Sequence, residues 1–169
     1  MLAHGWVALG SNLGDRGGYL AQARELLAAT PGVVRVAAGT IEETPPLGGL
    51  EQPAYLNQML MVHTNLAPRD LLRRCHEIER AAGRERTLPW CSRTLDLDLV
   101  RYGDTLCDLP DLTLPHPGLR DRTFWAREIA ALEKHGRSSA DASLTDGPQA
   151  RRSQARDADL LRRDVRSPA

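Results

Sequence analysis

Two aspartates separated by a single leucine are the residues best suited to bind a metal ion. They lie in Arg93–Val100, where polar and apolar residues alternate as in a β-strand. Because residues two apart in a strand share a face, Asp96 and Asp98 point the same way and the leucines between and beside them point into the core. Adjacent carboxylates repel unless a cation lies between them, and Mg²⁺ combines one or two carboxylates with water and phosphate oxygens. The spacing therefore favours a magnesium–polyphosphate site, with solvated aspartates on an exposed strand face as the alternative.

An arginine-rich loop directly precedes this acidic strand. Arg84, Arg86 and Arg93 surround Trp90, and planar guanidinium groups suit the oxygens of a triphosphate. In a shared site the carboxylates would hold cations, while the arginines and the cations would hold the phosphates. The alternative is a solvated basic loop. The sequence contains no Gly-x-x-x-x-Gly-Lys-Ser/Thr motif, which excludes a P-loop nucleotide site.

Other candidate ligands lie on neighbouring segments. Tyr55 and Asn57 share a predicted strand face and offer a stacking surface and a donor–acceptor pair for the edge of a heterocycle. The alternative for these two is an ordinary cross-strand pair. His116, between two prolines, would either donate to a phosphate or form a local hydrogen bond. Core packing is the default interpretation for Phe124 and Trp125.

Composition limits the classes of function. The 169 residues have zero net charge, and 41% are apolar, so one domain with a tail is expected and bulk charge does not favour nucleic-acid or membrane binding. The first residues run directly into a strand-like segment, so a secretory signal is not expected. Three widely spaced cysteines, Cys75, Cys91 and Cys107, fit a reducing cytoplasm.

The predicted elements follow the order β-α-β-β-α-β with additions. In chain order they are a strand at Trp6–Gly10, a helix ending at Pro31-Gly32, strands at Val33–Glu43 and Tyr55–Asn65, a helix from Ala67-Pro68 to Gly83, the acidic strand to Tyr102, a short strand at Leu112–Leu114 and a helix at about Thr123–Glu133. This order predicts a ferredoxin-like α+β fold, an antiparallel sheet with helices packed on one face. The domain would span residues 1–133, and residues 134–169 would form a polar, disordered tail.

Taken in order, these segments resemble the 6-hydroxymethyl-7,8-dihydropterin pyrophosphokinase family. The resemblance covers about residues 6–133. The segments that carry it are Leu9–Leu13, Thr44–Gly48, Gln52–Asn57, Ile78-Glu79, Gly83–Arg86, Trp90, Arg93–Asp98, Pro115-His116 and Arg122–Phe124. It implies that the hydroxymethyl oxygen of the pterin attacks the β-phosphorus of ATP, that a pyrophosphoryl group is transferred whole, and that AMP leaves, as a step of folate biosynthesis.

The resemblance also implies cofactors and roles for individual residues. ATP would be the co-substrate, and Asp96 and Asp98 would bind two Mg²⁺ ions. The catalytic residues would be Arg84, Arg93, Asp96, Asp98 and Arg122. The pterin would be bound by Thr44, Pro45, Leu47, Tyr55, Asn57, Trp90 and Phe124. The nucleotide would be bound by Glu79, Arg86, Trp90, Arg93, Leu99, Thr113 and His116. Loops 44–53 and 84–92 would close over the site and exclude water.

Departures from the family pattern leave an alternative function open. They are Pro89, Cys91, Asp111 and Pro117; all lie on the nucleotide side and leave the carboxylates intact. The alternative is a non-catalytic nucleotide-binding module of the same fold. An RNA-binding module would need a basic, aromatic-rich sheet face, whereas only 4% of residues are aromatic. We expect a cytoplasmic monomer that acts on small molecules and binds neither nucleic acid nor membranes.

Overall fold

The computed structural model describes residues 2–46, 51–83 and 94–144, and its side chains to residue 135. Its strands are β1 Ala3–Ser11, β2 Val33–Ala38, β3 Glu42–Thr44, β4 Tyr55–Thr64, β5 Asp96–Tyr102, β6 Cys107–Leu109 and β7 Leu112–Leu114. Its helices are α1 Arg16–Ala28, α2 Pro68–Ala81 and α3 Thr123–Leu144. The chain divides into two compact units, Met1–Glu133 and Lys134–Ala169. The sheet and the site belong to the first unit.

The main sheet has the strand order β2-β4-β1-β5, and every pairing in it is antiparallel. The short strand β3 adds to β4 beyond the end of β2, and β6 and β7 form a separate hairpin. This order confirms the predicted ferredoxin-like α+β fold with helices packed on an antiparallel sheet. Within the described ranges, no helix is long and apolar enough to cross a bilayer.

One face of the sheet packs against α1 and α2. The leucines of the acidic strand lie there as predicted, because Leu95, Leu97 and Leu99 are at most 2% exposed. They pack with apolar residues of the two helices, which include Leu20, Ala23, Leu27, Leu71, Cys75 and Ile78. Burial of these side chains is the main favourable contribution to folding, and it anchors β5 so that its aspartates face the other way.

The opposite face packs against α3, which corrects the prediction that the helices share one face. A second apolar cluster lies between this face and α3; its buried members are Trp6, Ala8, Met59, Met61, Val100, Trp125, Ile129 and Leu132. The apolar side chains of β1 and β4 on this face need a cover, and α3 supplies it. The helix covers only part of the face, and the uncovered part forms the site.

The predicted strand at 33–43 is broken into β2 and β3. The break lies at Gly39, whose N–H donates to the Met59 carbonyl at 2.8 Å. A Cβ atom on Gly39 would lie 2.7 Å from Glu128 Oε2 and 3.2 Å from the Met59 carbonyl oxygen. The chain therefore passes close to both α3 and β4 at Gly39, where a larger residue would require the Glu128 side chain to move.

Two further boundaries differ from the prediction. Strand β6 was not predicted, and it pairs with the predicted strand Leu112–Leu114. The last helix does not end near Glu133 but continues to Leu144, so the prediction of a disordered tail is wrong for its first residues. The remainder of the predicted tail, residues 145–169, lies outside the described residues.

Glu79 ties α2 to the acidic strand. Its side chain is 1% exposed, and Oε1 accepts a hydrogen bond from the backbone N–H of Leu97 at 2.7 Å. A buried carboxylate is stable only when hydrogen-bonded or paired, and this contact fixes the middle of β5 against the helix. Because Leu97 lies between the two aspartates, Glu79 helps to hold the strand that carries them.

We expect Glu79→Ala to destabilise the fold by about 2–3 kcal/mol, because it leaves the buried Leu97 N–H without its acceptor. Urea unfolding measures the loss. Glu79→Gln keeps an acceptor oxygen and should lose less, and Glu77→Ala, which removes a solvated carboxylate on the same helix, should change stability little. Equal losses for Glu79→Ala and Glu77→Ala would contradict this role.

Candidate active site

A cavity of about 400 Å³ opens on the α3 face of the sheet. It is bounded by β1, β3, β4, β5 and the start of α3. Eight of the residues singled out from the sequence line it: Thr44, Pro45, Tyr55, Asn57, Asp96, Asp98, Arg122 and Phe124. The cavity thus brings the acidic pair and the candidate ring-binding residues together, although they come from four separate segments.

The register of three strands explains why these residues meet. Gly10 of β1 pairs with Asn57 of β4 on one side and with Asp96 of β5 on the other. Adjacent strands lie about 4.8 Å apart, so the backbones of Asn57 and Asp96 are about 10 Å apart. Between them lies a floor formed by Gly10, which has no side chain. Ala8 continues this floor beside Asp98. Small residues in the central strand therefore create the space between the two groups.

The Asn57 end of the cavity is built by β3 and β4. The Asn57 Nδ2 donates to Thr44 Oγ1 at 2.8 Å, which fixes the orientation of the amide. The other amide atom, Oδ1, lies 3.5 Å from the ideal position of a Cβ on Gly10, that is, over the floor. Tyr55 donates from its hydroxyl to Gln52 Oε1 at 3.4 Å. An oriented amide next to an aromatic ring suits a flat, polar-edged heterocycle.

The acidic end is built around Asp98. The Arg122 Nη1 lies 3.2 Å from Asp98 Oδ2, and the His116 Nε2 lies 4.0 Å from Asp98 Oδ1. His116 Nδ1 accepts from the Gly118 N–H at 3.0 Å, so in the neutral ring the proton is on Nε2, the nitrogen nearer to Asp98. Burial, followed by the charge of Asp96, raises the pKa of Asp98, against the opposing effects of His116 and Arg122. Burial and a neighbouring carboxylate thus both disfavour the charged form of Asp98, and a cation at this end of the cavity would favour it.

Comparison with known proteins identifies the family of this chain. Residues 6–134 match the family model described as 7,8-dihydro-6-hydroxymethylpterin-pyrophosphokinase. The chain belongs to this family. Proteins named 2-amino-4-hydroxy-6-hydroxymethyldihydropteridine pyrophosphokinase are 40% identical over 131 residues in Methylorubrum extorquens, 37% over 147 in Pseudomonas aeruginosa and 35% over 141 in Bacillus subtilis. These matches cover 78%, 87% and 83% of this chain and 83%, 87% and 84% of the relatives.

Family membership establishes the class of reaction. The chain is an ATP-dependent pyrophosphokinase that transfers a pyrophosphoryl group to hydroxymethyldihydropterin in folate biosynthesis. The family uses ATP as co-substrate, generally with Mg²⁺.

The acidic end suits Mg²⁺ by its donor atoms and its charge. Asp96 and Asp98 offer only oxygen, the donor that Mg²⁺ prefers, and an added cation would oppose the burial and the repulsion from Asp96 that raise the pKa of Asp98. Among the described residues no group of three or more His, Cys, Asp or Glu side chains could hold a metal ion. Mg²⁺ does not require one, since it keeps several waters and takes the remaining ligands from substrate phosphates.

Several residues that the family resemblance implicates do not line this cavity. The Leu99 side chain is 2% exposed in the α1–α2 core, which leaves only its main-chain atoms for a ligand. Thr113 Oγ1 donates to Asp108 Oδ1 at 3.5 Å, on the β6–β7 hairpin. The backbone N–H of His116 donates to the Val100 carbonyl at 2.8 Å. This bond places the segment around His116 beside β5. Outside the described residues are Leu47, Arg84, Arg86, Pro89, Trp90, Cys91 and Arg93.

A second cavity, of about 670 Å³, runs along α2. Its lining consists of Arg69, Asp70, Leu72, Arg73, His76, Glu79, Arg80 and Asp111. Asp111, one of the departures from the family pattern, lies 2.8 Å from Arg69, and the hydrogen bond from this arginine lowers the pKa of Asp111. Asp111 therefore occupies this cavity as one half of an exposed ion pair.

Sequence reasoning assigned no ligand-binding role to eight residues that line the first cavity: Ala8, Leu9, Gly10, Pro46, Gln52, Asp121, Thr123 and Trp125. Gln52 contacts Tyr55, Asp121 precedes Arg122, and Trp125 lies beneath it. The small residues Ala8 and Gly10 within an apolar strand were an available signal, because a strand interior rarely contains glycine unless something approaches it closely. The contacts of Trp125 had no such signal, since they depend on how α3 is oriented on the sheet.

Arg16 joins the two ends of the loop that borders the Asn57 end of the cavity. Its Nη1 donates to the Ala54 carbonyl at 2.7 Å, and its Nη2 lies 3.1 Å from Glu43 Oε2. Glu43 and Ala54 flank the loop that carries Pro45 and Gln52 into the cavity. A single guanidinium thus links the two stems of this loop, in addition to the pairing of β3 with β4.

We expect Arg16→Ala to raise the KM for the pterin about 3- to 10-fold, because the loop stems lose a shared partner and the bound geometry is less well maintained. Steady-state kinetics with each substrate varied in turn measures the change. The KM for ATP should stay near its wild-type value. Arg16→Lys cannot bridge both partners, so its KM for the pterin should lie between those of the wild type and Arg16→Ala. An unchanged pterin KM in Arg16→Ala would show that the stems are held without this contact.

Proposed function

We propose that this enzyme binds 6-hydroxymethyl-7,8-dihydropterin in the 400 Å³ cavity and transfers to it the terminal pyrophosphoryl group of ATP, giving AMP and the pterin diphosphate. The observation that carries the proposal is a single cavity with an oriented amide and an aromatic ring at one end and a pair of carboxylates at the other. The distance of about 10 Å across the Gly10 floor suits a ring at one end and its reacting substituent at the other.

The pterin end would recognise both the face and the edge of the ring. Tyr55 and Phe124 would stack on its faces, and Asn57, held by Thr44, would read its edge through the amide. Pro45 and Leu47 of the adjoining loop and Trp90 would complete the pocket. This set of contacts favours a flat heterocycle over an aliphatic acceptor.

The acidic end would hold the polyphosphate. We propose that Asp96 and Asp98 bind two Mg²⁺ ions together with phosphate oxygens. Bound there, the ions would neutralise the phosphate charge and increase the acidity of a coordinated hydroxyl. Arg122, held next to Asp98, would donate to the transferring group. The remaining contribution to rate is alignment of the hydroxymethyl oxygen with the β-phosphorus.

The nucleotide would extend away from the pterin end. Residues assigned to it are Glu79, Arg84, Arg86, Trp90, Arg93, Leu99, Thr113 and His116. The second cavity supports this assignment because it contains Glu79 and three arginines. Arg84 and Arg93 would also act on the phosphates as catalytic residues, and the loops 44–53 and 84–92 would close over both substrates.

We also propose that the enzyme works as a cytoplasmic monomer, with residues 1–133 as the catalytic domain and residues 134–169 as a separate polar segment. The free thiols Cys75 and Cys107 support a reducing compartment. The clustering of the chain into units that meet at Glu133 and Lys134 supports the domain boundary.

Mass analysis of the products formed from ATP, Mg²⁺ and 6-hydroxymethyl-7,8-dihydropterin tests the proposal. We expect AMP and the pterin diphosphate in equal amounts, and neither when Mg²⁺ is removed with a chelator. ADP with a pterin monophosphate would contradict pyrophosphoryl transfer. Calorimetric binding of ATP without formation of AMP would instead identify the non-catalytic nucleotide-binding alternative.

A further inference from the structure

Trp125 contacts both of the side chains that face Asp98. The Arg122 guanidinium carbon lies 4.3 Å from the centroid of the indole, over its face. The His116 ring meets the same indole in a T-shaped arrangement, with centroids 5.5 Å apart and planes at 74°. Each of these partners approaches a different oxygen of Asp98. The Trp125 ring therefore contacts both of the side chains that lie next to the Asp98 carboxylate.

The local backbone explains this arrangement. Arg122 immediately precedes α3 and Trp125 lies in its first turn, so the two are three residues apart on one side of the helix. The backbone N–H of Trp125 donates to the backbone carbonyl of Arg122 at 2.9 Å. A Cβ atom on Gly118 would lie 3.3 Å from Trp125 Cζ3 and 3.1 Å from His116 Nδ1. The chain thus packs tightly against both rings, which limits their freedom to turn.

From these contacts we propose that Trp125 is a positioning residue for pyrophosphoryl transfer: its face holds Arg122, and its contact with His116 holds that ring, so that both converge on Asp98. A planar guanidinium stacks on an aromatic face and is attracted by its electron density. Arg122 has several rotatable bonds and, without the indole, would sample conformations directed away from Asp98. The inference rests on the role proposed above for Arg122.

Core packing alone is the competing explanation, since Trp125 is 3% exposed and belongs to the second apolar cluster. The two explanations differ in what a replacement must preserve. A positioning residue needs a flat aromatic face under Arg122, whereas a core residue needs only apolar volume. They also differ in coupling, because a positioning effect requires that Arg122 be present.

The test compares kcat and both KM values for Trp125→Leu, Trp125→Phe, Arg122→Ala and the double variant Trp125→Leu/Arg122→Ala, using the full chain with ATP, Mg²⁺ and the pterin. We expect Trp125→Leu to lower kcat about tenfold with KM values little changed, and Trp125→Phe to lose less than about threefold. In the Arg122→Ala background, Trp125→Leu should add almost nothing. Ile129→Ala, a buried position of the same helix and cluster, controls for loosening of the core. It should lower the unfolding temperature but keep kcat at temperatures where it is folded.

Four outcomes would overturn the inference. Trp125→Leu with wild-type kcat, or with a loss that multiplies fully with that of Arg122→Ala, would reduce Trp125 to a core residue. A loss of kcat in Ile129→Ala equal to that in Trp125→Leu would have the same meaning. Wild-type kcat in Arg122→Ala would overturn both this inference and the role of Arg122, whereas a loss in Arg122→Ala alone would leave the proposed function intact.

Discussion

Asp96→Ala and Asp98→Ala should each lower kcat by about a thousandfold, because each removes a proposed ligand of the Mg²⁺ that would neutralise the polyphosphate. Steady-state assays with saturating ATP and pterin measure this loss. The fold should survive, since both side chains face the cavity while the leucines beside them hold the strand in the core. Asp104→Ala, an exposed aspartate in the turn after β5, should keep wild-type activity.

Metal-dependent stabilisation provides a second readout for the same variants. Mg²⁺ with a non-hydrolysable ATP analogue should raise the unfolding temperature of the wild-type protein, because a ligand that binds only the folded state stabilises it. The two aspartate variants should show a much smaller rise than Asp104→Ala. If Asp96→Ala and Asp98→Ala kept wild-type turnover and the full thermal shift, the assignment of the metal site would be wrong.

Replacing the residues at the other end of the cavity should separate the two substrates. Asn57→Ala and Tyr55→Ala should raise the KM for the pterin about 10- to 100-fold while changing the KM for ATP by less than about threefold. Asn57→Ala removes the amide that Thr44 orients, and Tyr55→Ala removes the aromatic ring beside it. Kinetics with each substrate varied in turn, or calorimetry with the pterin alone, measures the difference.

Tyr55→Phe is the matched control for the aromatic ring. It keeps the ring and loses only the hydroxyl that donates to Gln52, so it should bind the pterin nearly as well as the wild type does. Unfolding temperatures of all three variants show whether a loss of affinity reflects a loss of structure. Equal increases in both KM values would show that this end of the cavity does not distinguish the ring from the nucleotide.

The parts of the fold that depend on short-range pattern were predictable. The alternation around Asp96 and Asp98 predicted the correct face for the residues up to Val100, because side-chain direction in a strand has a period of two. It fails for Arg101 and Tyr102, because a β-bulge opposite Trp6 and Val7 shifts the register there. The break at Gly39 and the position of α3 were not predictable. Both depend on how closely α3 approaches β2 and β4, a contact between residues that are far apart in sequence.

In the site, too, residue faces could be predicted from short-range pattern, whereas contacts between distant segments could not. Tyr55 and Asn57 could be placed on one face from their spacing, but their position opposite Asp96 depends on the strand order, which puts β1 between β4 and β5. Trp125 was interpreted as a core residue, and its burial agrees with that. Its contact with Arg122 depends on where the first turn of α3 lies on the sheet. The amino-acid composition of the helix does not determine that position.

The alternation in β5 also limits how this enzyme can change. Deleting or inserting one residue between Asp96 and Leu99, before the β-bulge of this strand, would turn the side chains beyond the change to the other surface, so that leucines would project into the 400 Å³ cavity and carboxylates would enter the packing against α2. Such an indel would damage folding and turnover in the same step. We therefore expect diversification of this scaffold to proceed by substitutions at constant strand length and by length changes in the connecting loops.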